Sequence, residues 1–155
     1  VEEGLVKDQD RHAIYLQKKE FFNSLSFLDL EALYESRVRI FSWLQNQEIP
    51  FGVVTNTNRE AACLLLERAH LFPWVEVLIT NNDIYRPKPH PEPYMLGMDR
   101  LGVAPPDCLV LEDSEVGAES ARRAGARVEV IRDCFSLNEE SFRVMFPDLI
   151  QGERK

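Results

Sequence analysis

A mostly parallel α/β sheet flanked by helices is the fold class this sequence predicts, and three observations predict it. Short apolar runs recur at residues 51–55, 75–80, 108–113 and 127–132, each too brief for a helix. Helical stretches rich in Ala and Leu stand between them, and that rhythm implies a sheet covered on both faces. Several runs end in hydroxyls, amides or carboxylates, as strands do where open α/β sheets bind their ligands.

Taken in order, residues 1–47 read as helical, with apolar positions Ile14, Leu16, Phe21 and Phe22 in one helix over 12–23. A second helix over 30–44 carries Leu33, Tyr34, Val38, Ile40, Phe41 and Leu44 at spacings of three and four, with Asp29 as its expected cap. A short link at 46–50 leads into Phe51-Gly52-Val53-Val54-Thr55, and a helix is expected over 60–69. The next strand, 75–80, is followed by Asn81, Asn82 and Asp83. Pro91 or Pro93 opens a helix through Leu101 that Gly102 closes. After the strand at 108–113 a short helix over 118–124 ends at Gly125, a last strand covers 127–132, a terminal helix 137–146, and a polar tail 151–155.

The 155 residues suffice for one domain with a sizeable core. With 45% hydrophobic and 28% charged residues and a net charge of -8, the chain reads as soluble and globular, which argues against nucleic-acid or acidic-membrane partners. No apolar stretch approaches the roughly 18 residues of a membrane span. Cys63, Cys108 and Cys134 lack metal-type spacing and read as reduced thiols in a cytoplasmic protein.

Three junctions carry the chemistry. In Leu109-Val110-Leu111-Glu112-Asp113-Ser114 a strand ends in two carboxylates, whose hard oxygens suit Mg²⁺; the competing reading is that the acids cap the following helix. Thr55 and Asn56 stand ahead of a helix start, where free N–H groups favour an anion, though an ordinary cap explains them equally from that segment alone. Lys88 lies between prolines in Arg86-Pro87-Lys88-Pro89-His90-Pro91, a stiff extended segment that suits a positioned charge. His90 reads as a bystander.

The three junctions in this order, a hydroxyl after Val53-Val54, Lys-Pro-x-Pro-Glu-x-Tyr at Lys88–Tyr94, and Glu-Asp-Ser-x-x-Gly at Glu112–Gly117, resemble the haloacid dehalogenase superfamily. The similarity runs from about residue 30 to 130 and is greatest to the capped phosphatase and β-phosphoglucomutase-like branch. It implies a Rossmann-like core at 29–155, a partial helical cap at 1–28, a Mg²⁺ cofactor and transfer of a phosphoryl group from a small phosphorylated metabolite. By the same resemblance Thr55 and the Asn56 backbone would bind a phosphoryl oxygen, Lys88 would neutralise phosphate and nucleophile, and Asp113 would bind Mg²⁺ with Glu112 in support.

One family feature is not matched. Members begin with an apolar strand ending in Asp-x-Asp, whose first aspartate attacks phosphorus. Asp8-Gln9-Asp10 has that spacing without the apolar strand before it. The expectation is therefore that the nucleophile segment is lacking, and that strands 51–55 and 108–113 pair with each other, self-associate, or accept a complementing strand. The alternative is a non-catalytic binding or regulatory module that keeps the fold.

Overall fold

The computed structural model describes residues 27–132 together with residues 140, 142 and 144, and the strand-helix rhythm is present throughout that span. Helix α1 (Phe27–Asn46) comes first. It starts ahead of Asp29, which therefore lies in its first turn and not at its cap; periodicity locates a helix body better than its ends. The expected boundary between residues 28 and 29 falls inside this helix.

Strand β1 (Gly52–Val54) leads to α2 (Arg59–Arg68), a 3₁₀ turn (Phe72–Trp74) and β2 (Val77–Ile79). Helix α3 (Glu92–Leu101) follows, then a 3₁₀ turn (Pro105–Asp107), β3 (Leu109–Glu112), α4 (Glu115–Arg123) and β4 (Arg127–Val130). Gly102 ends α3 with φ 68°, a left-handed conformation that costs glycine nothing, as the closing role expected for it requires. The helix expected over 12–23, Asp8, Asp10 and Cys134 lie outside the described residues, as does most of the helix expected over 137–146. Cys63 and Cys108 are free thiols.

The strands form two parallel pairs. Val53 lies opposite Leu78 in the β1–β2 pair, and Val110 opposite Val128 in the β3–β4 pair. Strands β1 and β3 were expected to pair with each other if nothing came between them, and they do not: each is hydrogen-bonded on one side only among the described residues. Their register explains which groups remain. Thr55 N–H donates to Ile79 O, so alternation along the strand turns the Gly52 and Val54 carbonyls away from β2.

The two pairs are joined by the layers above and below them. On one face, Phe41 of α1 packs with Val53, Leu78 and the buried Leu66, Ala69 and Leu71. On that face too, Ile40, Trp43 and Leu44 pack against Leu109, Leu111 and Phe142. On the other, Tyr94 and Met98 of α3 meet Val54, Val110 and the buried Ala121 and Ala124. The result is a three-layer α/β/α arrangement in which α1 and α3 each bridge both strand pairs. No helix among the described residues is long and apolar enough to cross a membrane.

The turn after β2 is a structural staple. Asp83 accepts from Thr80 N–H at 2.9 Å and Thr80 Oγ1 at 2.7 Å, and Arg59 reaches both its oxygens at 2.7 Å. Burial alone would raise its pKa, but the hydrogen bonds from Thr80 and the Arg59 guanidinium outweigh it and bring the carboxyl from 3.8 to about 2. A depressed carboxyl stabilises the fold fully above its unfolded value and loses that contribution as the pH falls through its folded one. The expected loss, roughly 2 kcal/mol between about pH 4 and pH 2, should be missing from Asp83→Asn in urea melts at those pH values. Parallel pH profiles for the two proteins would show that Asp83 has no such role.

Candidate active site

The cap of α2 decides how Thr55 and Asn56 are read. Asn58, not either of them, caps the helix, with its side chain accepting from Ala61 N–H at 2.9 Å. Thr55 and Asn56 are thereby left at the end of β1. Thr55 Oγ1 accepts from Thr57 N–H at 3.1 Å, which shapes the turn and still leaves the hydroxyl proton to donate.

The proline segment carries Lys88 inward. Its backbone N–H lies 3.4 Å from Asn56 Oδ1, and its ammonium donates to Val54 O at 3.1 Å, so it contacts both neighbours of Thr55. It also donates to Tyr94 Oη at 2.8 Å and to Glu112 Oε1, and lies 4.6 Å from the Tyr94 ring centroid. An ammonium has three N–H groups, and three acceptors meet it here. The side chains of Lys88 and Glu112 are 8% and 7% exposed, so this is a buried ion pair. Such a pair persists only where further hydrogen bonds satisfy it.

Glu112 has those bonds. Tyr94 Oη–H donates to Oε1, and Ser114 Oγ–H donates to Oε2 at 3.0 Å. Burial pulls the Glu112 carboxyl upward, but the donors Lys88, Tyr94 and Ser114 outweigh it and hold it below the usual glutamate value. Tyr94 moves the other way: burial first, then the bonded Glu112 carboxylate, pushes its phenol far up, so it remains a donor.

Neither acid caps α4. Ser114 does, accepting from Gly117 N–H at 3.1 Å. Alternation at the strand end separates the two adjacent carboxylates: Glu112 is buried against Lys88, while Asp113 is exposed. Among the described residues no three His, Cys, Asp or Glu side chains gather as a metal cluster. Asp113 nonetheless offers the hard oxygen that Mg²⁺ takes while keeping several waters; Glu112, already serving three donors, is fitted to hold Lys88.

His90 has a structural place, its Nδ1 accepting from Glu92 N–H at 3.1 Å and its carbonyl from Ser120 Oγ–H at 2.6 Å. Glu92 in turn accepts from Tyr85 N–H at 2.8 Å and Arg86 N–H at 3.2 Å, clamping the segment that presents Lys88. Tyr94, Ser114 and Gly117 were visible in the motifs, but nothing in their spacing said that they converge on one carboxylate.

Residues 2–125 match the family model for haloacid dehalogenase-like hydrolases. Phosphoglycolate phosphatase of Escherichia coli K12 is 35% identical over 82 residues, covering 53% of this chain and 32% of that protein. Hexitol phosphatase A of the same strain is 35% identical over 105 residues, covering 66% and 48%. A structure from Thermotoga maritima provisionally assigned as a beta-phosphoglucomutase superposes with a TM-score of 0.58 at 31% identity, over 64% of this chain and 45% of that one. CbbY from Rhodobacter sphaeroides, solved in complex with phosphate, gives a TM-score of 0.58 at 26% identity, over 61% and 44%. The chain spans about a third to a half of the length of these curated relatives.

Proposed function

The chain belongs to the haloacid dehalogenase-like hydrolases, with their Rossmann-like α/β core, and from that premise we propose that it forms the core of a Mg²⁺-dependent phosphatase or phosphomutase acting on a small phosphorylated metabolite. The observation that carries the reading is Lys88, a buried cation held between the end of β1 and the end of β3. Phosphoryl transfer is accelerated chiefly by positioning and by positive charge over the equatorial oxygens. A lysine fixed at strand ends supplies that charge from a set point.

In this reading Thr55 donates its hydroxyl to a phosphoryl oxygen, with the Asn56 backbone N–H beside it. Lys88 turns one N–H from Val54 O toward the phosphate while Tyr94 and Glu112 keep its nitrogen in place. Asp113 holds Mg²⁺, which when bound would neutralise charge on the phosphate. The described strand ends supply no further acid as nucleophile, since Glu112 holds Lys88. We assign the nucleophile to a segment outside the described residues, upstream of them or from a partner chain; the one-sided pairing of β1 and β3 among the described residues leaves edges that such a segment would find open.

The test is calorimetric titration of inorganic phosphate with Mg²⁺ into the parent, Thr55→Val and Asp113→Asn. Both variants should bind several-fold more weakly, and Asp113→Asn should lose the Mg²⁺ dependence; unchanged affinity in both would sink the reading. Hydrolysis of p-nitrophenyl phosphate that disappears in Asp8→Asn would place the nucleophile at that residue. Hydrolysis retained in both Asp8→Asn and Asp10→Asn places it elsewhere. A second reading, a non-catalytic binding or regulatory module that keeps the fold, is favoured by the lack, among the described strand ends, of an acid free to attack phosphorus. Binding without turnover, even with Mg²⁺ present, would select it.

A further inference from the structure

Tyr94 follows Lys88 by six positions, and the segment between them is fixed at several points. Glu92 accepts from the Tyr85 and Arg86 N–H groups, His90 Nδ1 takes the Glu92 N–H, and the first turn of α3 begins with Tyr94 N–H on Pro91 O at 3.1 Å. Tyr94 is therefore carried on a rigid helix start and aimed back at the lysine. Its ring lies in the core beside Met98, Val110, Ala121 and Ala124, a place a phenylalanine ring could fill. The hydroxyl is the part that packing does not explain. It bonds to both members of the ion pair, accepting from Lys88 at 2.8 Å and donating to Glu112, in a residue only 6% exposed.

We propose that Tyr94 is the positioning residue for Lys88, its hydroxyl holding the ammonium at the meeting point of β1 and β3; the inference rests on the reading of Lys88 as the phosphate-facing cation. An ammonium whose only strong partner is a carboxylate is drawn onto it, here toward the end of β3. The tyrosine oxygen adds a second acceptor beside the carboxylate, and by donating to Glu112 it takes up part of the carboxylate's capacity. Nζ is then fixed by geometry rather than by one charge, and when the Val54 contact is exchanged for phosphate the nitrogen stays where it is.

The experiment compares the parent, Tyr94→Phe and Lys88→Met by nitrogen-detected magnetic resonance of lysine ammonium groups and by inorganic phosphate titration. Lys88→Met identifies the Lys88 signal. In the parent that signal should show slow proton exchange and restricted rotation. Tyr94→Phe keeps the ring and should remain folded by circular dichroism, yet its Lys88 signal should broaden through exchange, and phosphate affinity should fall about three- to tenfold, as for one lost hydrogen bond. If Tyr94→Phe leaves signal and affinity unchanged while Lys88→Met abolishes phosphate binding, the tyrosine only fills the core and the proposal is overturned with the site reading intact. If Lys88→Met binds phosphate as the parent does, the site reading fails, and an unchanged ammonium signal in Tyr94→Phe still overturns the proposal separately. A freely rotating Lys88 ammonium in the parent overturns it regardless of how the variant folds.

Discussion

Lys88→Ala is expected to lower stability by about 3–5 kcal/mol, the cost of leaving a buried carboxylate without its counter-ion. Glu112 is 7% exposed, and its remaining donors, Tyr94 and Ser114, are neutral. Part of the cost should be relieved by protonation, so the deficit should shrink as the pH is lowered toward the carboxyl range. The double variant Lys88→Met with Glu112→Leu should regain much of the loss, because both charges are then gone and the new side chains are apolar. It should not regain all of it, since the Tyr94 hydroxyl stays behind with both its partners removed. Urea denaturation of the parent, the single variant and the double variant, at neutral pH and again at lower pH, measures these effects. A single variant that costs less than about 1 kcal/mol would mean that Glu112 reaches water in solution and that the pair is not buried as described.

Gly117→Ala should destabilise the protein by about 1–3 kcal/mol, the range for forcing extra atoms into a filled space. The sign is the informative part. In a helix interior glycine is normally the poorer residue, and alanine would be favoured by roughly 1 kcal/mol. Here a Cβ at position 117 would overlap the Glu112 carboxyl group. The obstructing group is the end of a side chain, which could ordinarily swing aside, but Lys88, Tyr94 and Ser114 all hold it. The substitution must therefore either strain α4 or pull Glu112 off the lysine, and the second outcome would release the Lys88 ammonium. A thermal melt showing Gly117→Ala more stable than the parent would mean that Glu112 does not pack against α4 in solution.

Lys88 and Gly117 also show how far the candidate site was legible. Each stood out in the sequence, the lysine by its prolines and the glycine by its place after Glu-Asp-Ser. Their physical link, a carboxylate pressed between an ammonium and a helix backbone, joins residues 29 positions apart and has no local signature. Thr55, Asn56, Lys88 and Glu112 do come together at the strand ends. Asp113 stands at the same strand end with its side chain turned to solvent. Glu112 and Asp113 are adjacent in the chain yet differ in exposure, because side chains alternate along a strand and its continuation.

The caps follow a similar logic. Asn58 and Ser114 cap their helices although Thr55, Asn56 and Asp113 are also suitable types, because a cap is chosen by where the backbone turns into the helix. That turn depends on the strand before it, and β1 and β3 end one residue earlier than their apolar runs suggested. Asp29 is the same error at α1, whose first residues lie ahead of the apolar repeat.

By itself the sequence determined the alternation of strands and helices, the closing role of Gly102, the family, and the residue types gathered at the strand ends. These rest on periodicity, on local backbone preference and on short motifs, all of which act between residues close in the chain. Only the tertiary structure decided that β1 and β3 each pair outward and not with one another, that α1 and α3 bridge the two pairs, and that Glu112 answers Lys88 while Asp113 faces solvent. Those outcomes depend on which edges and faces are covered and on which charge can be satisfied once water is excluded, and burial is a property of the assembled layers, not of any one segment.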